Sequence, residues 1–104
     1  MQTSPVRRTI VIQNKLGMHV RPAQLFAQLA SKFQARIEVI RQDRRVDARN
    51  IIDLITLGAG TGTQLILEAA GPDAQAAVDA LATLAEGGFQ GDDDQQPVEE
   101  KSRE

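Results

Sequence analysis

Arg8-Thr9-Ile10-Val11-Ile12-Gln13-Asn14-Lys15-Leu16-Gly17-Met18-His19-Val20-Arg21-Pro22 changes character twice within fifteen residues. Its first part is short and β-branched, which predicts a strand, and Asn14 to Gly17 carries the composition of a turn. Beyond it, Leu25, Phe26, Leu29, Ala30 and Phe33 recur with the spacing of one helical face, so a helix is predicted over about Val20 to Lys32. Pro22 fits the first turn of that helix, where its missing N–H has no intrahelical partner to lose.

Working outward, Ala35 to Arg41 alternates polar and apolar residues, Gln42-Asp43 makes a corner, and Arg44 to Ala48 returns, which predicts a β-hairpin. Asn50 can cap a short helix carrying Ile51, Ile52, Leu54 and Ile55, ended by Gly58. Gly60-Thr61-Gly62 turns the chain into a fourth strand, Thr63 to Ala69. Gly71-Pro72-Asp73 then opens a helix over Ala74 to Glu86, striped by Ala77, Val78, Leu81, Leu84 and Ala85. The order β-α-β-β-α-β-α buries these stripes as an α+β two-layer sandwich, an antiparallel sheet with helices on one face. Order alone leaves the strand arrangement open.

The 104 residues, 41% apolar and 25% charged, suit one small globular domain. Three Phe and no Tyr or Trp leave no aromatic platform for stacking bases, so nucleic acid is not an expected partner. The absence of Cys excludes disulfides and thiol chemistry, and one His cannot build a His-rich metal site, so no metal or cofactor is expected. No apolar run has the length of a membrane span and the N-terminus lacks the pattern of a signal peptide, from which a cytoplasmic location is expected.

The net charge of −2 conceals a gradient: residues 1–50 hold ten basic and three acidic side chains, residues 51–86 no basic and five acidic. A basic half fits nucleic acid, an anionic ligand or an acidic protein partner, and charge does not choose among them. From Gly87 the sequence holds two apolar side chains, Phe89 and Val98, and a run of three Asp. The expected organisation is a folded unit over residues 1–88 and an acidic, disordered tail over 89–104.

His19 lies where the chain turns from strand into helix. A helix start carries unpaired N–H groups and a positive dipole end, which favours a phosphoryl group there. Imidazole is nucleophilic near neutral pH and can carry a transferred group on nitrogen. Arg21 adds a forked cation suited to phosphate oxygens, and Gly17 gives the turn its freedom. A plain surface or capping histidine is the competing reading, and the residues alone leave both open. Gly58-Ala59-Gly60-Thr61-Gly62 looks like a phosphate loop, but such loops leave a strand and open a helix; this one does the reverse and reads as a turn. Ile51 and Ile52 are adjacent and cannot both face the core squarely, so they form either a wide buried face or an apolar docking patch. Asp43, Asp47 and the Asp92-Asp93-Asp94 run lack a ligand pattern and read as solvated surface.

Gln13-Asn14-Lys15-Leu16-Gly17-Met18-His19-Val20-Arg21-Pro22-Ala23 resembles the active-site segment of the HPr family, the histidine-containing phosphocarriers of the phosphoenolpyruvate-dependent sugar phosphotransferase system. The likeness continues through Ala30 to Phe33, Asn50 to Gly58 and Ala69 to Asp73, and spans about residues 6–88. It implies an open-faced sandwich with a four-stranded antiparallel sheet covered by three helices. It also implies that His19 accepts a phosphoryl group on Nδ1 from phosphorylated enzyme I and passes it to enzyme IIA proteins for sugar uptake, with Arg21 stabilising that group. The protein would then be a monomeric relay and not a turnover enzyme. A regulatory phosphoprotein of a nitrogen-type branch, acting by binding other proteins, is the alternative. By the same resemblance Ile51 and Ile52 are exposed docking residues, Met18 and Val20 complete the partner contacts, and the basic surface faces acidic partners. Two positions depart from the family. Asn50 stands where many members have a kinase-modified serine and offers no hydroxyl, so regulation there should be absent. Val20 stands where Ala or Thr is usual and adds bulk beside the ring.

Overall fold

The computed structural model describes residues 4–91. Within them β1 (Val6–Val11), α1 (Val20–Ala30), β2 (Arg36–Arg41), β3 (Arg44–Asp47), α2 (Ile51–Thr56), β4 (Gln64–Ala70), α3 (Ala74–Glu86) and a last turn, α4 (Gly88–Gly91), follow in order. The strands form one sheet in the order β1-β4-β2-β3, antiparallel throughout. The arrangement that sequence order left open is therefore settled by β4, which inserts between β1 and β2.

The two-residue alternation of the strands divides the sheet. Ile10, Ile37, Val39, Leu65, Leu67 and Ala69 are buried toward the helices, while Thr9, Glu38, Ile66 and Glu68 occupy the other face. On the covered side α3 lies across β1, β4 and β2, and α1 packs against α2 and α3. Phe26, Leu54, Val78 and Leu81 close the core from the helix side, each stabilising the fold by about 2 kcal/mol through removal from water. The expected open-faced sandwich is present, with α4 added.

α4 corrects the expected domain end. Phe89 is fully buried, its ring centroid 6.3 Å from that of Phe26, so the folded body runs past residue 88. Its large apolar surface outweighs the polar composition around it. The rest of the expected acidic tail, residues 92–104, lies outside the described residues.

The open face carries a charge network imposed by register. β2 and β4 place Glu38 directly opposite Glu68, a repulsive pair. Arg45 resolves it, with Nη1 at 2.7 Å from Glu38 and 2.6 Å from Glu68, and Arg7 Nε adds a 2.6 Å contact to Glu68. The hydrogen bond from Arg45, then that from Arg7, lowers the Glu68 pKa from its ordinary 4.5. A second polar knot ties the α1–β2 connection to α3. Asp73, at the α3 start, accepts from the backbone N–H of Gln34 at 2.9 Å and Ala35 at 2.8 Å, and Arg49 donates to the Phe33 and Ala35 carbonyls. The Gln34 bond is the main reason that the Asp73 pKa lies below its ordinary 3.8.

Both carboxylates have lower pKa values folded than unfolded, so their stabilisation is present above the unfolded values of 3.8 and 4.5 and is lost as pH falls through the folded ones. The thermal midpoint is expected to drop on acidification through and below that range. Asp73→Ala lowers the midpoint at neutral pH and makes the acid limb shallower. A parallel acid limb in the variant would remove Asp73 from the account.

Candidate functional site

The loop between β1 and α1 is held by hydrogen bonds to the turn before β4 and by bonds within itself. Met18 N donates to Ala59 O at 2.9 Å, Ile12 N donates to Thr63 O at 3.0 Å, and Gly62 N donates to Ile12 O at 2.8 Å. Gly17 has φ +75°, and a Cβ there would lie 2.5 Å from Ala59 O, so only glycine lets the loop approach this closely. Asn14 is buried and donates through Nδ2 to Gly17 O at 2.7 Å. The same carbonyl accepts from His19 N at 2.9 Å. The chain thus arrives at His19 with its direction fixed.

His19 is the N-cap of α1, with extended backbone (φ −96°, ψ −164°), and its carbonyl accepts the first helical bond from Ala23 N at 3.0 Å. It is half-buried. Its side chain does not cap the helix, and the first turn of α1 contains no acidic residue. The positive end of the helix dipole is therefore not offset by a carboxylate of its own first turn. Arg21 is exposed in that turn, two residues on, and the next residue, Pro22, is buried.

The residues expected to dock partners separate on burial. Val20 is 55% exposed and Ile52 67% exposed. Ile51 is only half-buried and packs against the core, so the expected full exposure of the pair holds for Ile52 alone. Met18 is a correction: it is 4% exposed and belongs to the core, because Gly17 turns the chain and its N–H is spent on Ala59. Leu16, which the sequence reading did not single out, is 59% exposed. Its signal was present, since a leucine isolated within a polar turn falls on no apolar stripe. Asn50 caps α2 as expected, its Oδ1 accepting from Asp53 N at 3.0 Å.

The basic half is not a free basic face. Arg7 and Arg45 hold Glu68, and Arg8 reaches Asp79 and Glu86 on α3. Arg41 Nη1 lies 2.7 Å from Leu57 O and Arg44 Nη1 2.7 Å from Thr56 O, so two guanidiniums cap the carbonyl end of α2. Much of the charge excess supports the fold. Among the described residues no group of His, Cys, Asp and Glu could hold a metal ion, and no helix is long and apolar enough to cross a membrane. A depression of about 450 Å³ lies on the open sheet face, lined by residues that include Thr9, Ile40, Gln64 and Ile66, and takes in neither His19 nor Arg21.

Residues 6–87 match the family model described as the PTS HPr component phosphorylation site. Phosphocarrier protein HPr of Cupriavidus necator is 42% identical over 79 residues, covering 76% of this chain and 89% of the relative. Phosphocarrier protein NPr of Shewanella violacea is 37% identical over 84 residues, covering 81% and 92%. Among solved structures, that of HPr from Thermoanaerobacter tengcongensis superposes with a TM-score of 0.79 at 41% identity, over 82% of this chain and 96% of the other. Agreement in sequence, in architecture and at the segment around the histidine means that this chain belongs to the HPr family and is a phosphocarrier of the phosphotransferase system.

Proposed function

We propose that His19 is the residue that carries the phosphoryl group, taking it from phosphorylated enzyme I and giving it to a histidine of an enzyme IIA protein. The observation that supports this most strongly is the position of the chain's single histidine at the start of a helix whose first turn holds no acidic residue. In the first step the Nδ1 lone pair attacks phosphorus while Nε2 keeps its proton. A new N–P bond forms as the donor's bond to phosphorus breaks, and the donor group leaves with the bonding pair. The onward step exchanges one N–P bond for another and is close to balanced, as a relay requires.

The start of an exposed helix stabilises an anion by only about 0.3–1 kcal/mol, so it orients the phosphoryl group more than it holds it. Arg21 supplies the second contact, its guanidinium pairing with the phosphoryl oxygens. Leu16, Val20 and Ile52 form the apolar docking surface, with Ile51 supporting it from below. The protein works as a monomer in the cytoplasm and serves sugar uptake. The NPr relatives favour keeping one second reading, regulation of other proteins in a nitrogen-type branch.

Incubation with enzyme I and phosphoenolpyruvate should add one phosphoryl group per chain by intact mass, lost again in acid. An unchanged mass would end this reading. Ile52→Asp is expected to weaken binding to enzyme I about tenfold or more by placing a charge in a desolvated contact. Its unfolding free energy should change by no more than about 0.5 kcal/mol, as befits a surface position. A large stability loss at unchanged affinity would assign Ile52 to the core.

A further inference from the structure

Thr61 stands between two glycines in the turn joining α2 to β4, and nothing in the relay chemistry calls for it. Its hydroxyl Oγ lies 2.6 Å from Asn14 O and 2.8 Å from Lys15 O, 47 and 46 residues away in sequence. A hydroxyl has one proton, so a single donor is shared between two consecutive carbonyls. Carbonyls aimed at a common point repel one another, and a donor at that point makes the arrangement stable. Asn14, whose carbonyl is held in this way, is the residue whose Nδ2 fixes Gly17 O, and Gly17 O accepts from His19 N. A continuous chain of hydrogen bonds therefore runs from Thr61 through Asn14 and Gly17 to the backbone of the histidine.

We propose that Thr61 is a positioning residue for phosphoryl transfer, a latch whose hydroxyl holds the β1–α1 loop in the one arrangement that presents the His19 ring to an incoming phosphorus. The inference rests on the reading of His19 as the acceptor. The flanking Gly60 and Gly62 add no side chain to the turn, and it lies so close to the loop that a Cβ on Gly17 would come within 2.8 Å of the Gly60 Cα. The latch fixes both partners at once, the loop and the turn that supports it. In-line attack tolerates little error in place, so loosening the loop costs rate while leaving the docking surface in place.

The test compares Thr61→Val, which keeps the shape and removes the donor, with Thr61→Ser, which keeps the donor. Single-turnover phosphoryl uptake from phosphorylated enzyme I is measured with binding affinity, thermal midpoint and the ring proton shifts of His19. Thr61→Val is expected to slow transfer about tenfold at unchanged affinity and to move the His19 ring shifts. Thr61→Ser recovers most of the rate. Transfer by Thr61→Val at the unsubstituted rate, or Thr61→Ser as slow as Thr61→Val, would overturn the latch while the unsubstituted protein still takes phosphate on His19. If the unsubstituted protein takes none, the reading of the site falls, and the latch with it.

Discussion

His19→Ala is expected to accept no phosphoryl group from phosphorylated enzyme I and to unfold at nearly the temperature of the parent. The first half follows from composition, because the chain has no second histidine to take over the group. The second follows from how the helix start is built. The His19 carbonyl accepts from Ala23 N and the His19 N–H donates to Gly17 O, both of which alanine retains. No side-chain cap is lost, so the change at this N-cap should stay at the low end of capping effects, below about 1 kcal/mol. Intact mass, acid lability and a thermal melt decide the matter. Acid-labile phosphate on the variant would sink the assignment of His19.

Phe89→Ala should produce the largest loss of stability of any single change considered. The ring is fully buried and tilted 53° against Phe26, in a protein that has only three aromatic side chains. Truncating a buried Phe costs about 3 kcal/mol or more when the cavity does not collapse. In a domain of this size such a loss lowers the thermal midpoint on the order of 15 °C. The backbone gives no relief, since Phe89 sits at φ +59° and alanine has the same Cβ strain there. Ending the chain after Gly88 should give a similar deficit. A thermal midpoint unchanged by either alteration would return Phe89 to the tail that composition suggests.

His19 and Phe89 differ in how far the sequence discloses them. The elements were legible because each rests on local periodicity. α3 begins at Ala74 and ends at Glu86 as its stripe requires, and α1 begins at Val20 as Pro22 requires. The place of His19 at a strand-to-helix turn was legible in the same way, while its role was left open by the residues and came from the family resemblance. Strand order was not, because the pairing of β4 with β1 depends on contacts between residues far apart in the chain. Phe89 was hidden by averaging, since one ring in a polar stretch counts for little by composition and for much by burial. Met18 was placed among the partner contacts and is buried, while Leu16 was read only as part of a turn and is exposed. Loop side chains have no period, and only the hydrogen bonds around Gly17 decide which of two apolar neighbours turns inward. The arginines show the same limit, as counting charge cannot reveal that Arg41 and Arg44 end in backbone carbonyls.

Those two arginines have a kinetic consequence. α2 has six residues, too few to persist in water unaided, and it is held at both ends, by Asn50 at its start and by Arg41 and Arg44 at its finish. The helix that bears Ile52 is thus already ordered in the free protein. If Ile52 docks partners as proposed, association would carry little entropic penalty from ordering that surface, and complexes could form at rates set by diffusion and orientation. A relay must also let go of each partner before it meets the next. A preorganised surface suits that duty, because binding without folding around a partner avoids the long residence that coupled folding would bring.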